Sequence, residues 1–339
     1  MKRIALPLLL ASTMLVQVAS AQSSTTPVIG YYKFDAPAGK SMWNCAFQTK
    51  KDFQGLASTV AGGATTLITQ TGAAWTVNQF QTSATPATNS SHFIEILSGP
   101  DTGKTADIIS NAASTITVEG NLGSTAFTYA VRKHTTLGSI FLTAGLAPFE
   151  DEVLLFDDLG VARRYQFDDT VGAEQMVDAE TGSINNSDVV VYPGQGFVLT
   201  IGGAKTLTFG GGEVSYVRNA PIKIPLYPGV TNIVGLYDPV VASAPLSAAA
   251  AGEKHTIGSV GLTTAELAPF EDEIQLFGLS GGSFTRLSVS YFDDTPPGAI
   301  SDGSNDVGAT LEIPNGTAFL VKPTNNNIIR NYSQPAFHP

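Results

Sequence analysis

Two acidic clusters carry the strongest chemical suggestion in the chain: Glu150-Asp151-Glu152 followed by Asp168-Asp169, and Glu271-Asp272-Glu273 followed by Asp293-Asp294. If the carboxylates of one set converge, they could coordinate Ca²⁺, which takes about six to eight oxygen ligands. Their spacing matches no EF-hand loop. Paired carboxylates are also what a glycosidase needs, one as acid and one as base or nucleophile, roughly 5 to 10 Å apart. That chemistry depends on two unlike environments driving two pKa values apart, so the same acids copied twice argue for upkeep of a fold. The simpler reading sets Phe149 and Val153 against a core and leaves the acids between them on a solvated edge, where charge discourages pairing with other strands. We favour that reading and keep calcium as the alternative.

Other catalytic sets fail on spacing. Gly99-Pro100-Asp101-Thr102-Gly103-Lys104-Thr105 resembles a phosphate-binding loop, but its glycines are separated by three residues where a P-loop has four, and Pro100 has no N–H to offer a phosphate. Its Pro, Asp and Gly predict a hairpin turn instead. His92, His134, His255 and His338 form no i, i+4 pair and no HExxH pattern, which argues against a catalytic zinc, and Cys45 has no histidine near it in sequence. Aromatic rings could stack on sugars, with Trp43, Trp75, Tyr31 and Tyr32 as candidates, although rings more often fill cores.

The acids belong to a longer duplicated unit. Ala147-Pro148-Phe149-Glu150-Asp151-Glu152 returns letter for letter as Ala268-Pro269-Phe270-Glu271-Asp272-Glu273, an offset of 121 from Pro148 to Pro269. Leu137-Gly138-Ser139 and Ile257-Gly258-Ser259 precede the two copies. After them, Val153-Leu154-Leu155-Phe156 answers Ile274-Gln275-Leu276-Phe277, and Phe167-Asp168-Asp169-Thr170 matches Phe292-Asp293-Asp294-Thr295. The starts are set by Lys33, Pro37 and Gly39 in one copy and Lys223, Pro228 and Gly229 in the other. Lys33 lies 115 positions before Pro148 and Lys223 only 46 before Pro269, so the first copy holds about 69 extra residues, placed between about Leu56 and His134. A period this long implies duplicated domains, not a solenoid of short repeats.

Short β-rich runs recur between Gly, Pro, Asn and Asp clusters: Ile29–Phe34, Phe93–Leu97, Thr115–Glu119, Val153–Phe156, Val189–Tyr192, Phe197–Ile201 and Lys205–Phe209. Thr115-Ile116-Thr117-Val118 and Thr206-Leu207-Thr208-Phe209 alternate, as strands with one wet face do. Helical periodicity is confined to Ala173–Val177 and to the alanine run Ser247–Ala251, the latter read as a loop or a single turn. The expected fold is all-β: two tandem β-sandwich or partly closed barrel repeats, the first carrying an inserted small β-barrel of about five strands whose core takes in Trp75 and Phe80. The divisions are 1–21 as a signal peptide, 22–58 plus 134–212 as the first repeat, 59–133 as the insert, 213–332 as the second repeat and 333–339 as a tail.

Lys2 and Arg3, an apolar run from Ile4 to Val18 and Ala19-Ser20-Ala21 read as a secretory signal, too short to span a bilayer. No transmembrane segment is expected once it is removed. Removal takes the formal charge from −11 to −13, a field that repels nucleic acid and anionic lipid. One cysteine permits no internal disulfide, so stability must come from burial and hydrogen bonding; Cys45 is read as a small buried hydrophobe.

Gly30-Tyr31-Tyr32-Lys33, the stretch Ile94 to Gly103, Ser114-Thr115-Ile116-Thr117-Val118 and the doubled Leu-Gly-Ser…Pro-Phe-Glu-Asp-Glu units carry a resemblance over nearly the whole mature chain. The chain resembles an uncharacterised family of secreted two-repeat β-rich proteins from Verrucomicrobia. The resemblance implies export and a β-rich repeat fold, and no activity. The function expected is that of a non-enzymatic cell-surface or extracellular structural protein acting by self-assembly or adhesion, such as a surface-layer or filament subunit. Its partners would be further copies of itself or a surface polysaccharide, with Ca²⁺ as the one possible cofactor. A carbohydrate-binding module is the alternative, and a glycoside hydrolase using the acidic pairs stands third.

Overall fold

A computed structural model describes residues 29–44, 49–81, 90–157, 159–170, 174–184, 186–213, 221–235, 268–280, 283–293, 299–302, 304–306, 313, 318–323 and 328–333. Within them the chain is nearly all β. It opens with β1 (Ile29–Ala36) and β2 (Gly39–Asn44). Next come β3 (Lys51–Leu56), β4 (Thr59–Ala61), β5 (Thr65–Thr69), β6 (His92–Ile96), β7 (Thr105–Asn111), β8 (Thr115–Glu119) and β9 (Thr128–Lys133). β10 (Thr135–Thr136) and the short helix α1 (Leu137–Phe141) lead to β11 (Glu152–Phe156), β12 (Ala162–Asp168), β13 (Gln175–Asp178), β14 (Val190–Val191), β15 (Gly196–Ile201) and β16 (Lys205–Glu213). The rest is β17 (Pro221–Leu226), β18 (Asn232–Val234), β19 (Glu273–Ser280), β20 (Ser283–Asp293), β21 (Ala299–Ser301), β22 (Phe319–Lys322) and β23 (Ile328–Ser333).

Alternation along the strands explains how they layer. In the sheet β13-β12-β11-β15-β2, Trp43, Val153, Leu155, Tyr165, Phe167, Phe197 and Leu199 turn to one face. There they meet Leu207 and Phe209 of the β1–β16 pair and Leu137, Ile140 and Phe141 of α1. The helix starts where Thr136 and Ser139 form a reciprocal capping box, each side-chain oxygen accepting the other residue's backbone N–H. Met42, Phe156 and Val198 turn to the opposite face and pack on Ile233, Phe277, Ala318 and Leu320 of a second five-stranded sheet, β21-β20-β19-β22-β18. This contact is close. A Cβ on Gly196 would lie 2.6 Å from that of Ala318, and one on Gly235 would lie 2.1 Å from that of Asn44, so only glycine fits at either position.

The seven strands β3-β9-β6-β7-β8-β5-β4 form a third sheet. Its two edge strands are consecutive in the chain, joined through Ala57 and Ser58, whose N–H groups bond to Phe127 O and Thr69 O, so the sheet curls upon itself. Ile68, Ile94, Ile108, Ile116, Val118, Tyr129 and Val131 fill it, with Phe80 buried among them and Trp75 packed alongside.

Three sequence expectations need adjustment. The curled sheet has seven strands, not about five, and begins at Lys51, because Phe53 of β3 packs on its core, whereas 59 was the expected start. Ala173–Val177 is not helical over its described part: Gln175–Asp178 is a strand paired with β12, and the adjacent buried pair Met176 and Val177 produced the helix-like signal. Of Val189–Tyr192 only Val190–Val191 pair, with β10. The expected signal sequence, Cys45, Ile257–Ser259, the alanine run Ser247–Ala251 and the expected tail from Gln334 lie outside the described residues.

Candidate functional site

The duplicated acids act on their own turns. Asp151 does not lie on the solvated edge expected of it but is fully buried: its Oδ1 accepts the Gly202 N–H at 3.0 Å, and its Oδ2 accepts the Ala147 N–H at 2.7 Å and Lys205 Nζ at 2.6 Å. Asp272, also fully buried, accepts the Ala268 N–H at 2.9 Å in the matching way. The turn these carboxylates tie down forces Phe149 and Phe270 into left-handed backbone, with φ of 55° and 56°, which is costly for a bulky residue. Both rings stay about half exposed. Phe149 therefore does not face the core as expected; its N–H holds the turn to Phe167 O, and Val153 supplies the buried contact.

The remaining acids are also placed individually. Glu152 meets Gln166 at 3.3 Å and Glu273 meets Gln275 at 2.7 Å. Asp168 accepts both the hydroxyl and the N–H of Thr170, and these bonds hold its carboxyl below the usual carboxylate range. Glu150, Asp169 and Glu271 are exposed, while Asp294 and the side chain of Asp293 lie outside the described residues. No three Asp, Glu, His or Cys side chains gather in metal-binding geometry among the described residues.

Among the sugar-stacking candidates, Trp43 is core: it is 1% exposed, lies against Phe34 with ring centroids 3.9 Å apart, and donates its indole N–H to Ser41 Oγ. Trp75 packs edge-on against Phe53 and Phe80. The side chains of Tyr31 and Tyr32 lie outside the described residues. The Gly99–Lys104 segment is the β6–β7 hairpin turn, closed by Gly103 N–H to Ile96 O at 2.8 Å, as its composition implies. Gly278-Leu279-Ser280-Gly281-Gly282 has the letters of a hydrolase nucleophile elbow. Ser280 pairs with Ser283 across the β19–β20 hairpin, whereas such an elbow needs a strand-to-helix turn.

The concave site lies elsewhere, where the curled sheet and both five-stranded sheets approach one another. A cleft of about 730 Å³ opens there, within the roughly 300–1,000 Å³ of small-ligand sites. β7 brings Asp107 to it, the turn after β14 brings Tyr192 and Gln195, β12 brings Arg163, and the β17–β18 region brings Lys223 and Tyr227. Tyr192 donates its hydroxyl to Asp107 Oδ2 at 3.1 Å, linking the first five-stranded sheet's turn to the curled sheet. Burial of that hydroxyl, followed by the negative charge of Asp107, pushes the phenol's pKa well up, even though the residue as a whole is 48% exposed. Behind this pair sits His134, 5% exposed, its ring edge-on to Tyr192 at 5.6 Å. Its Nε2 is 3.3 Å from Asp107 Oδ1 but out of line for a hydrogen bond.

Hydrogen bonds hold the cleft open on its other sides. Lys223 donates its N–H to Gly103 O at 3.0 Å and its ammonium to Pro100 O at 2.7 Å, so the β6–β7 hairpin is clamped to β17. Gln195 accepts the Tyr192 N–H and donates to Phe156 O, and the Gly235 N–H bonds to Gly194 O at 2.8 Å. None of Asp107, His134, Tyr192 or Gln195 falls in a recognisable motif; the one local signal is Tyr192 standing next to Pro193-Gly194, a turn that exposes it.

Comparison with protein-family models, with curated proteins and with solved structures finds no match.

Proposed function

We propose that the protein is an exported, non-enzymatic adhesion protein built from a duplicated β unit, and that it holds its ligand in the cleft between the three sheets. The observation that carries this reading is the cleft itself, a concave site of ligand-binding size lined by aromatic, amide and charged groups from all three sheets. Duplication is supported by strand order: β13-β12-β11-β15-β2 and β21-β20-β19-β22-β18 run through their units in the same sequence, each with a separate pair, β1–β16 or β17–β23. The contact between the sheets sets like against like, with Met42 and Ile233, Val198 and Leu320, and Phe156 and Phe277 in corresponding positions. That self-complementary pattern is characteristic of a two-fold interface. The commitment of Asp151 and Asp272 to turn backbone supports a scaffolding role for the repeated acids, and the export signal supports action outside the cell.

The test is attachment of the full mature chain to cells and to cell-surface extracts, compared with Thr105→Trp, which fills the cleft from β7. Wild-type attachment that the filled variant loses is expected. Equal attachment by both proteins would remove the cleft from the account.

A hydrolase reading has one observation in its favour. Ser91 Oγ lies 2.6 Å from His92 Nδ1, and His92 Nε2 lies 3.2 Å from Asp52 Oδ2, a Ser–His–Asp row running from the start of β6 to β3 of the curled sheet. A serine-directed fluorophosphonate separates the readings: covalent labelling of Ser91, lost in His92→Gln, would establish the hydrolase and end the non-enzymatic one.

A further inference from the structure

Charge and hydrogen bonding in the cleft narrow what it can hold. The chain carries a net −11, yet the cleft walls balance, with Lys104, Arg163 and Lys223 against Asp107, Glu119 and Asp157. Two of the three cations are already occupied, since Lys104 Nζ donates to Asn121 O at 3.0 Å and Lys223 Nζ to Pro100 O at 2.7 Å. An anionic ligand would find little uncompensated positive charge, and a cationic one would face ammonium and guanidinium groups on the same walls.

What the cleft offers instead is a fixed aromatic face among polar groups. The Tyr192 ring is half exposed, and its hydroxyl is tied to Asp107 while His134 packs edge-on against it, so the ring cannot swing away without breaking that bond. Glu119 is exposed and Arg163 is half exposed, with only a 4.0 Å approach to Asp157, which leaves both able to hydrogen-bond a ligand. Apolar side chains such as Ile224 and Leu226 complete the lining. An amphipathic ring beside unspent donors and acceptors suits a ligand with apolar C–H faces and a hydroxyl rim.

We infer that the cleft binds an uncharged polysaccharide, with one sugar ring stacked on Tyr192 and its hydroxyls bonded to Glu119 and Arg163. This rests on the adhesion reading and adds the ligand class to it.

Affinity electrophoresis of the mature chain through gels containing neutral glucans, mannans or galactans, or acidic uronans, tests the inference. Retardation by at least one neutral polymer is expected. Tyr192→Ala should weaken it about tenfold or more, and Tyr192→Phe, which keeps the ring, by no more than about threefold. Glu119→Ala, at an exposed position on another wall, should weaken it without altering the thermal melt, which guards against a folding artefact. Retardation by uronans alone, lost in Tyr192→Ala, would overturn the ligand class and leave the cleft standing. Retardation that Tyr192→Ala leaves unchanged would overturn both. No retardation by any polymer, with cell attachment still abolished by Thr105→Trp, would overturn the sugar assignment alone.

Discussion

Replacing Asp151 with alanine separates the scaffolding and metal-binding roles of the repeated acids. Two backbone N–H groups and the Lys205 ammonium lose their acceptor. A buried donor left unpaired costs about 1 to 3 kcal/mol, and breaking a buried ion pair about 3 to 5. Two features pull the total to the low end: Lys205 is a quarter exposed, and Gly202 sits at the surface, so both can recover water. We expect about 3 kcal/mol. With a urea slope of about 2 kcal/mol per molar, the midpoint falls by about 1.5 M. In a Trp75→Phe background, Trp43 fluorescence reports on the affected unit, because Trp43 shares a core with Val153 and Leu155. Chelation of calcium should leave the wild-type midpoint where it is. The reasoning is refuted if Asp151→Ala melts like the parent while a chelator destabilises the parent and spares the variant.

Three further outcomes follow from the geometry. Burial holds the His92 pKa below 6.5 despite Asp52, so the folded chain binds fewer protons than the unfolded one just below that pH. Stability is then full above about 6.5 and drains away as pH falls toward the folded value. Urea midpoints across that range should show a slope that His92→Gln flattens, separate from the carboxylate loss expected below 3.8, where hydrogen bonds depress Asp168 and Asp178. Gly196→Val should open the contact between the five-stranded sheets, since a Cβ there meets Ile233 Cγ2 at 2.5 Å; a lower melting temperature and faster proteolysis are expected, and a wild-type profile would show the contact is looser than described. Phe149→Gly relieves about 1 kcal/mol of left-handed strain while giving up a half-buried ring, so its melting temperature should stay near or above the parent's; a marked drop in calorimetry would show that the ring's contacts outweigh the strain.

The strands were legible in sequence wherever one face is buried. Ile116 and Val118 of β8, and Leu207 and Phe209 of β16, are fully enclosed while their threonine neighbours are not, as alternation requires. β3 was hidden because Lys51-Asp52-Phe53-Gln54-Gly55-Leu56 contributes one ring to the core and leaves Leu56 62% exposed. The identical hexapeptide was visible, but not its purpose, since a buried carboxylate capping a turn and an exposed one beside a metal have the same letters. The cleft had no motif in the sequence, only the turn letters Pro193-Gly194 beside Tyr192. Asp107 lies on the curled sheet, Tyr192 in the turn before β15 and Lys223 on β17, and hydrogen bonds join Tyr192 to Asp107 and Lys223 to Pro100 across 85 and 123 positions of chain. Trp43, one of the candidate rings for sugar binding, is spent in the core, and the exposed ring in the cleft is a tyrosine at a Pro-Gly turn.

Hydrogen exchange of the full mature chain, with and without the neutral polysaccharide that retards it, tests ligand binding between the three sheets most directly. Slowed exchange confined to Thr105–Asp107, Tyr192–Gly196 and Lys223–Asn232, one segment from each wall of the cleft, is the expected pattern. Unchanged exchange in those segments, with slowing on an outer face of any one sheet, would contradict it.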